Sequence, residues 1–424
     1  MIVDKHIYKE YIEILKEELV PALGCTEPIA IAYGAAKARE ILGTMPEAMT
    51  VWCSGNIIKN VKAVIVPTTG DMKGIETSAI LGAVGGNAEK KLEVLTDITD
   101  EDLKRTRELL KKKICHVELL EGVSNLQIIV EEKAGEDTAL VEIAFSHTNI
   151  VRIEKNGKTI FAKECKASVA TETDRSLLNL RSIYEFACSV EMEEVQTLLE
   201  QQLAYNMSIA REGLTKNYGA NVGSTILKRY GDDVRNRARA LPAAGSDARM
   251  NGCVLPVMIN SGSGNQGMTV SLPVAVFADY LYADKETEYR ALTLSNLVAI
   301  YQKNELGKLS AYCGAVSAAA GAGAGIAYLY GADFDVISET VTNTLANVSG
   351  IVCDGAKASC AAKIASSVDA AIMGYYMAAD HQSFQNGEGL VKEDAEATIR
   401  SFGRMGREGM RSTDIEILKI MLES

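Results

Sequence analysis

The chain has 424 residues, 47% of them apolar and 24% charged, with a net charge of −12. This length provides for two or three domains and a sizeable core, and the composition excludes a disordered or fibrous protein. Acidic charge without a basic face excludes phosphate-backbone binding, so nucleic acid is not an expected partner.

At the N-terminus, Asp4, Lys5, Lys9 and Glu10 interrupt the apolar run that a signal peptide requires, and a cytoplasmic protein is expected. Residues 4–20 set Tyr8, Tyr11, Ile12, Leu15 and Leu19 on one helical stripe, which Pro21 ends. Glu27-Pro28 opens a second helix with proline at its first position, and Gly43 closes it after Leu42. From about 47 to 165 the pattern changes to short β-prone runs at 49–52, 61–66, 92–95, 115–119, 125–131, 139–145 and 149–162, the last around the turn Lys155-Asn156-Gly157-Lys158. Helical stretches at 76–84 and 99–113 interrupt these runs. From about 175 onward Ala, Leu and Gly dominate, which predicts a helical second half with Gly-rich breaks near 245, 262 and 350. The sum is an α+β fold: a mainly helical Gly/Ala-rich domain from 1–45 and 175–424, with an inserted mixed α+β domain over 46–174. Ser310 to Ala332 runs 23 residues without a charge. Its Gly, Ala and Ser content predicts a buried helix in a tightly packed core and no membrane span, and such helices also suit contact between subunits of a homodimer.

Nine cysteines without an export signal point to thiols or metal ligands and not to a disulfide framework. Cys25, in Gly24-Cys25-Thr26-Glu27-Pro28, precedes a helix N-terminus, whose positive end favours a thiolate. The plain alternative is a small buried residue in a tight turn, with Glu27 capping the helix. Cys313, Cys353 and Cys360 form a second set, and three thiolates can hold a metal cluster with one position left open. Asp354-Gly355 supplies the bend that lets Cys353 sit in a loop while Cys360 rides the start of the next helix. Lys357 and the helix amides there can offset thiolate charge. The spacing matches neither ferredoxin patterns nor a paired Cys-x-x-Cys zinc site, so scattered core cysteines remain the alternative. Cys53, Cys115, Cys165, Cys188 and Cys253 are expected in packing roles.

The loop Asn260-Ser261-Gly262-Ser263-Gly264-Asn265-Gln266-Gly267 is dense in hydroxyls, amides and backbone donors and can grip a carboxylate. It also spells Gly-x-Gly-x-x-Gly, but Thr269 to Val274 is β-prone and carries Pro273, where a dinucleotide site needs a helix. His147 suits a hydrogen bond to substrate or a structural role, and Arg249 suits a carboxylate substrate or an ion pair with Asp247.

Together these motifs, with Ser54-Gly55-Asn56-Ile57-Ile58-Lys59-Asn60, Ser146-His147-Thr148, Tyr312-Cys313-Gly314 and Cys353-Asp354-Gly355-Ala356-Lys357-Ala358-Ser359-Cys360, resemble the L-cysteine desulfidase family, relatives of the iron-sulfur L-serine dehydratases. The resemblance spans nearly the whole chain. It implies a 4Fe-4S cluster on Cys313, Cys353 and Cys360 acting as a Lewis acid, and Cys25 as proton acceptor. The implied reaction is non-redox β-elimination of L-cysteine to sulfide, ammonia and pyruvate. Thr26, Glu27, Asn56, His147, Arg249, Ser261, Ser263, Asn265 and Gln266 are then expected to hold the amino-acid substrate. L-serine dehydratase chemistry and a non-catalytic amino-acid or metal-binding protein are the alternatives. The close Cys353/Cys360 pair and the Gly-Cys-Thr-Glu-Pro form favour cysteine over serine.

Overall fold

The computed structural model describes residues 4–163, 173–307 and 309–423. It is a mainly helical α+β fold. Helix α1 (Lys5–Glu18) buries Tyr11, Ile12, Ile14 and Leu15 and leads into strand β1 (Pro21–Leu23) and helix α2 (Thr26–Leu42). Cys25 caps α2, which therefore starts earlier than the proline implied, and Gly43 ends it with φ +85°. Strand β2 (Ala48–Ser54), helices α3 (Gly55–Val61), α4 (Ile75–Gly85) and α5 (Asp100–Lys111), and strands β3 (Cys115–Leu120), β4 (Gln127–Ala134), β5 (Asp137–Ala144), β6 (Ile150–Lys155) and β7 (Lys158–Ala162) follow. Thr99 and Asp102 form a capping box that fixes the start of α5.

These strands make one sheet in the order β3-β2-β4-β5-β6-β7, with only β2 and β3 parallel. Burial alternates along β4 and β5, and α2 lies on the covered face, Gly34 close to Val130 and Ile143. Two expected strands are absent. Residues 61–66 hold the end of α3 and a turn, with only an isolated bridge from Ile65 to Lys73, and 92–95 fall at a 3-10 turn. Both are short apolar runs whose burial comes from packing and not from a ladder.

The second half contains α6 (Leu180–Ser189), α7 (Met192–Thr215), α8 (Val222–Tyr230), α9 (Val234–Met250), strand β8 (Pro256–Met258), α10 (Gly264–Tyr280), α11 (Lys285–Leu306), α12 (Gly314–Leu329), α13 (Phe334–Val348), α14 (Cys360–Ala379), α15 (Ala395–Arg404) and α16 (Arg411–Leu422). Helix α12, the uncharged Gly/Ala stretch, is surrounded by α10, α11, α13 and α14. Small residues permit this: a Cβ at Gly321 would stand 2.4 Å from the Ser295 carbonyl oxygen. Among the described residues no helix is long and apolar enough to cross a membrane.

Two expectations in this half are corrected. Gly245 does not break the chain but lies inside α9, where a Cβ would meet the Met268 sulfur at 2.4 Å, so it marks a close helix contact. Thr269 to Val274, β-prone by composition, is helical within α10 despite Pro273, because burial of that face overrides local propensity. A helix does begin at the Gly-rich loop, but the preceding strand β8 pairs antiparallel with β1 and belongs to no parallel βαβ unit. That pairing, Pro21 with Met258 and Leu23 with Pro256, brings Cys25 beside the loop at 260–267.

Candidate active site

Four helices begin at one cavity of about 780 Å³. Cys25 caps α2, Ser263 caps α10, Cys313 caps α12, and Cys360 is the first residue of α14; all four line the cavity. Positive dipole ends thus gather where an anion would be held. Ser261, Asn265, Gln266, Glu27, His147, Arg249 and Cys353 share the same wall.

The cysteines arrive as their local sequences direct. Cys353 sits in a loop, its amide donating to the Ala311 carbonyl at 2.6 Å while the Cys313 amide donates to the Ile351 carbonyl at 3.1 Å, which ties the two segments together. Gly355 makes the expected bend with φ +94° and a Cβ there would lie 2.2 Å from the Lys59 carbonyl oxygen, so only glycine fits. Burial, then the neighbouring Cys353, push the Cys313 thiol up to about 12. Among the described residues no three His, Cys, Asp or Glu side chains converge on a point fit for a single metal ion. A cluster asks for something different, since each cysteine binds its own iron. Three unbridged cysteines lining one cavity, the thiols of Cys313 and Cys360 both pushed up by burial, fit that donor set.

On the same cavity, the Cys25 thiol donates to Glu27 Oε2 at 3.1 Å. The expected thiolate stabilisation is outweighed: burial first, then the Glu27 charge, push Cys25 well above the ordinary thiol range. Burial alone would also raise Glu27, but His147, the donating Cys25 and Arg249 hold it at about 2. Asn60 donates to Glu27 Oε1 at 2.9 Å, and Thr26 to Oε2 at 3.1 Å. His147 Nε2 stands 4.0 Å from Glu27 Oε1, too long for a hydrogen bond, and has no hydrogen-bond partner among the described residues. Gln266 Oε1 is likewise buried without a partner.

Arg249 does not pair with Asp247. Its Nε donates to the Gly24 carbonyl at 2.9 Å and its Nη1 to Asn265 Oδ1 at 3.2 Å, while Asp247 accepts from the Gly223 amide at the start of α8. Two predicted substrate contacts lie behind the wall. The Thr26 hydroxyl shares its single hydrogen between Glu27 and the Gly262 carbonyl, 2.9 Å away, and so supports the loop. Asn56 donates to Asp414 at 2.6 Å, because α3 turns that face towards α16. Lys357 donates to the carbonyls of Asp354 and Gly355. Of the cysteines expected in packing, Cys53 and Cys253 are buried, Cys115 is half-buried, Cys188 is exposed, and Cys165 lies outside the described residues.

Several site residues escaped the sequence reading. Asn60 was visible within the Ser54–Asn60 motif but had no stated partner. Lys303, on α11, lines the cavity and is only 6% exposed; burial lowers its ammonium to about 8. Gln202, Asn260 and Asn296 form a buried amide network that fixes the base of the loop. A single lysine and scattered amides in apolar helices give no linear signal of convergence.

This helical core with its cysteine-lined cavity defines a member of the serine dehydratase alpha chain family: the family's pattern matches residues 89–419, and the chain belongs to it. Its relatives extend the likeness over the full length. A UPF0597 protein of Lachnoclostridium phytofermentans is 58% identical over 416 residues, covering 98% of this chain and 100% of the relative. One from Desulfitobacterium hafniense is 50% identical across 98% of this chain and 97% of its own, and one from Treponema denticola is 47% identical across 100% of both.

Proposed function

We propose that this protein is an iron-sulfur lyase that eliminates sulfide from L-cysteine, giving 2-aminoacrylate, which hydrolyses to ammonia and pyruvate. What supports this reading above all is the meeting of Cys313, Cys353 and Cys360 with the Cys25–Glu27 pair on one cavity. Cys313, Cys353 and Cys360 would hold a 4Fe-4S cluster, which when bound supplies a Lewis-acid iron suited to a soft sulfur leaving group and exchanges no electrons.

The chain's own residues do the rest. Arg249 and the amides at the starts of α2 and α10 face the substrate carboxylate, with Ser261, Ser263, Asn265 and Gln266 around its amino group. Cys25 acts on the Cα proton as the thiolate. Its own proton leaves through Glu27, which accepts from the thiol, towards His147, whose Nε2 stands 4.0 Å from the carboxylate. The Cα–H electron pair becomes the Cα=Cβ bond as the Cβ–S bond breaks, and sulfide departs with its pair. Buried walls exclude water from this exchange.

Membership of the serine dehydratase alpha chain family favours a second reading, in which L-serine loses hydroxide by the same route. Anoxically reconstituted protein given L-cysteine and L-serine in parallel decides between them. Equal sulfide and pyruvate from cysteine alone is the expected result. Pyruvate mainly from serine would transfer the assignment to the dehydratase reaction, and neither product from cluster-loaded protein would refute the lyase reading.

A further inference from the structure

Three buried cations stand at or beside the cavity among the described residues, and two of them already donate to protein acceptors. Lys59, 1% exposed, donates to Asp414 at 2.5 Å and to the Cys353 carbonyl at 3.2 Å. Arg249, 2% exposed, is held by Gly24 and Asn265. Lys303 differs: it lines the cavity at 6% exposure, and no hydrogen bond or ion pair reaches its ammonium among the described residues. The lysines at the neighbouring loop are no substitute, since Lys357 and Lys363 both pair with Asp354.

A buried ammonium without a partner is costly unless an anion from outside the chain completes it. Lys303 lines the same cavity as Cys313, Cys353 and Cys360, and α11, which carries it, packs along α12, the helix that Cys313 caps. Three thiolates on a 4Fe-4S core leave a net negative charge, and a departing sulfide adds to it.

We propose that Lys303 is the fixed counter-charge for a cluster held by Cys313, Cys353 and Cys360, a positioning residue that destabilises the empty protein and stabilises the loaded one. The inference rests on the iron-sulfur reading. It predicts opposite signs for one substitution, a pattern that a merely structural lysine would not give.

Lys303→Met keeps the apolar stem and removes the charge, and Lys303→Arg keeps the charge. Thermal melting of the cluster-free proteins, and bleaching of the visible cluster absorbance by a chelator under anoxic conditions, are the measurements. The Met variant should melt higher than wild type when empty, yet lose its cluster about ten- to a hundredfold faster when loaded, with Arg close to wild type. A Met variant that is no more stable empty and bleaches at the wild-type rate would overturn the assignment while leaving the cluster reading intact. Wild-type protein that takes up no iron and sulfide would overturn both. Should the Met variant fail to fold, Lys303→Gln carries the same comparison.

Discussion

The two ends of α2 handle a buried carboxyl in opposite ways. At its N-terminus Glu27, 8% exposed, accepts from Cys25, Thr26 and Asn60 with His147 and Arg249 nearby, and stays ionised at about 2. Towards its C-terminus Arg39 approaches Glu132 of β4, which is fully buried, has no hydrogen bond to either oxygen among the described residues, and is pushed by burial up to about 8. The depth is similar, but the donors are not. A carboxylate in this protein is kept charged by what donates to it, and the end of α2 that received the donors is the end that faces the cavity.

The largest effect is expected at the charged end. Cys25→Ala should cut turnover roughly a thousandfold while the visible cluster spectrum is retained, because the proposed mechanism loses its general base and none of its proposed cluster ligands. Steady-state rates and absorbance on the same anoxic sample check this, and activity near wild type would end the assignment of Cys25 as base. Glu27→Gln comes next. It removes the acceptor of the Cys25 proton but keeps the shape, so kcat should fall roughly a hundredfold. A rise in KM alone would instead make Glu27 a binding group.

Much of this arrangement was legible beforehand, and the part that was not shares a cause. The stripe of α1, the alternating strands of the sheet and the helix starts at Cys25, Cys313 and Cys360 are local patterns, and local patterns survive folding. The error at Thr269–Val274 came from propensity yielding to burial, and that at Gly245 from reading a packing glycine as a breaker. Asn56 went to Asp414, 358 residues away, and Lys303 came to line the cavity from a helix with no motif of its own. Partners that distant leave no trace in spacing.

At the other end of α2, Glu132→Gln tests stability and not catalysis. Glu132 keeps its proton in the folded chain up to about 8, whereas an unfolded glutamate loses it near 4.5. The native state therefore binds the extra proton between those values, and stability falls as pH rises through that window. Glutamine cannot ionise, so the variant should be more stable than wild type by on the order of 2 to 3 kcal/mol near neutral pH, with no gain below pH 4.5. Melting curves from pH 5 to pH 8 that run parallel for the two proteins would show that Glu132 is ionised and solvated after all. Glu27 should show the reverse slope, its contribution being lost as pH falls from about 4.5 towards about 2.

The smallest effect expected is at Thr26, whose hydroxyl links the ionised carboxylate to the loop through Glu27 and the Gly262 carbonyl. Thr26→Val keeps the volume and removes both contacts, which should cost about 1 kcal/mol of stability and roughly a tenfold rise in KM, since the loop at 260–267 is expected to hold substrate. Thr26→Ser restores the donor and should recover most of the loss. The comparison sharpens if Val lowers affinity and leaves kcat in place, because Thr26 then tunes the loop and not the base. If kcat falls as far as in Glu27→Gln, one donor among three is setting the state of the carboxylate, and the contrast with Glu132 turns on that single hydroxyl.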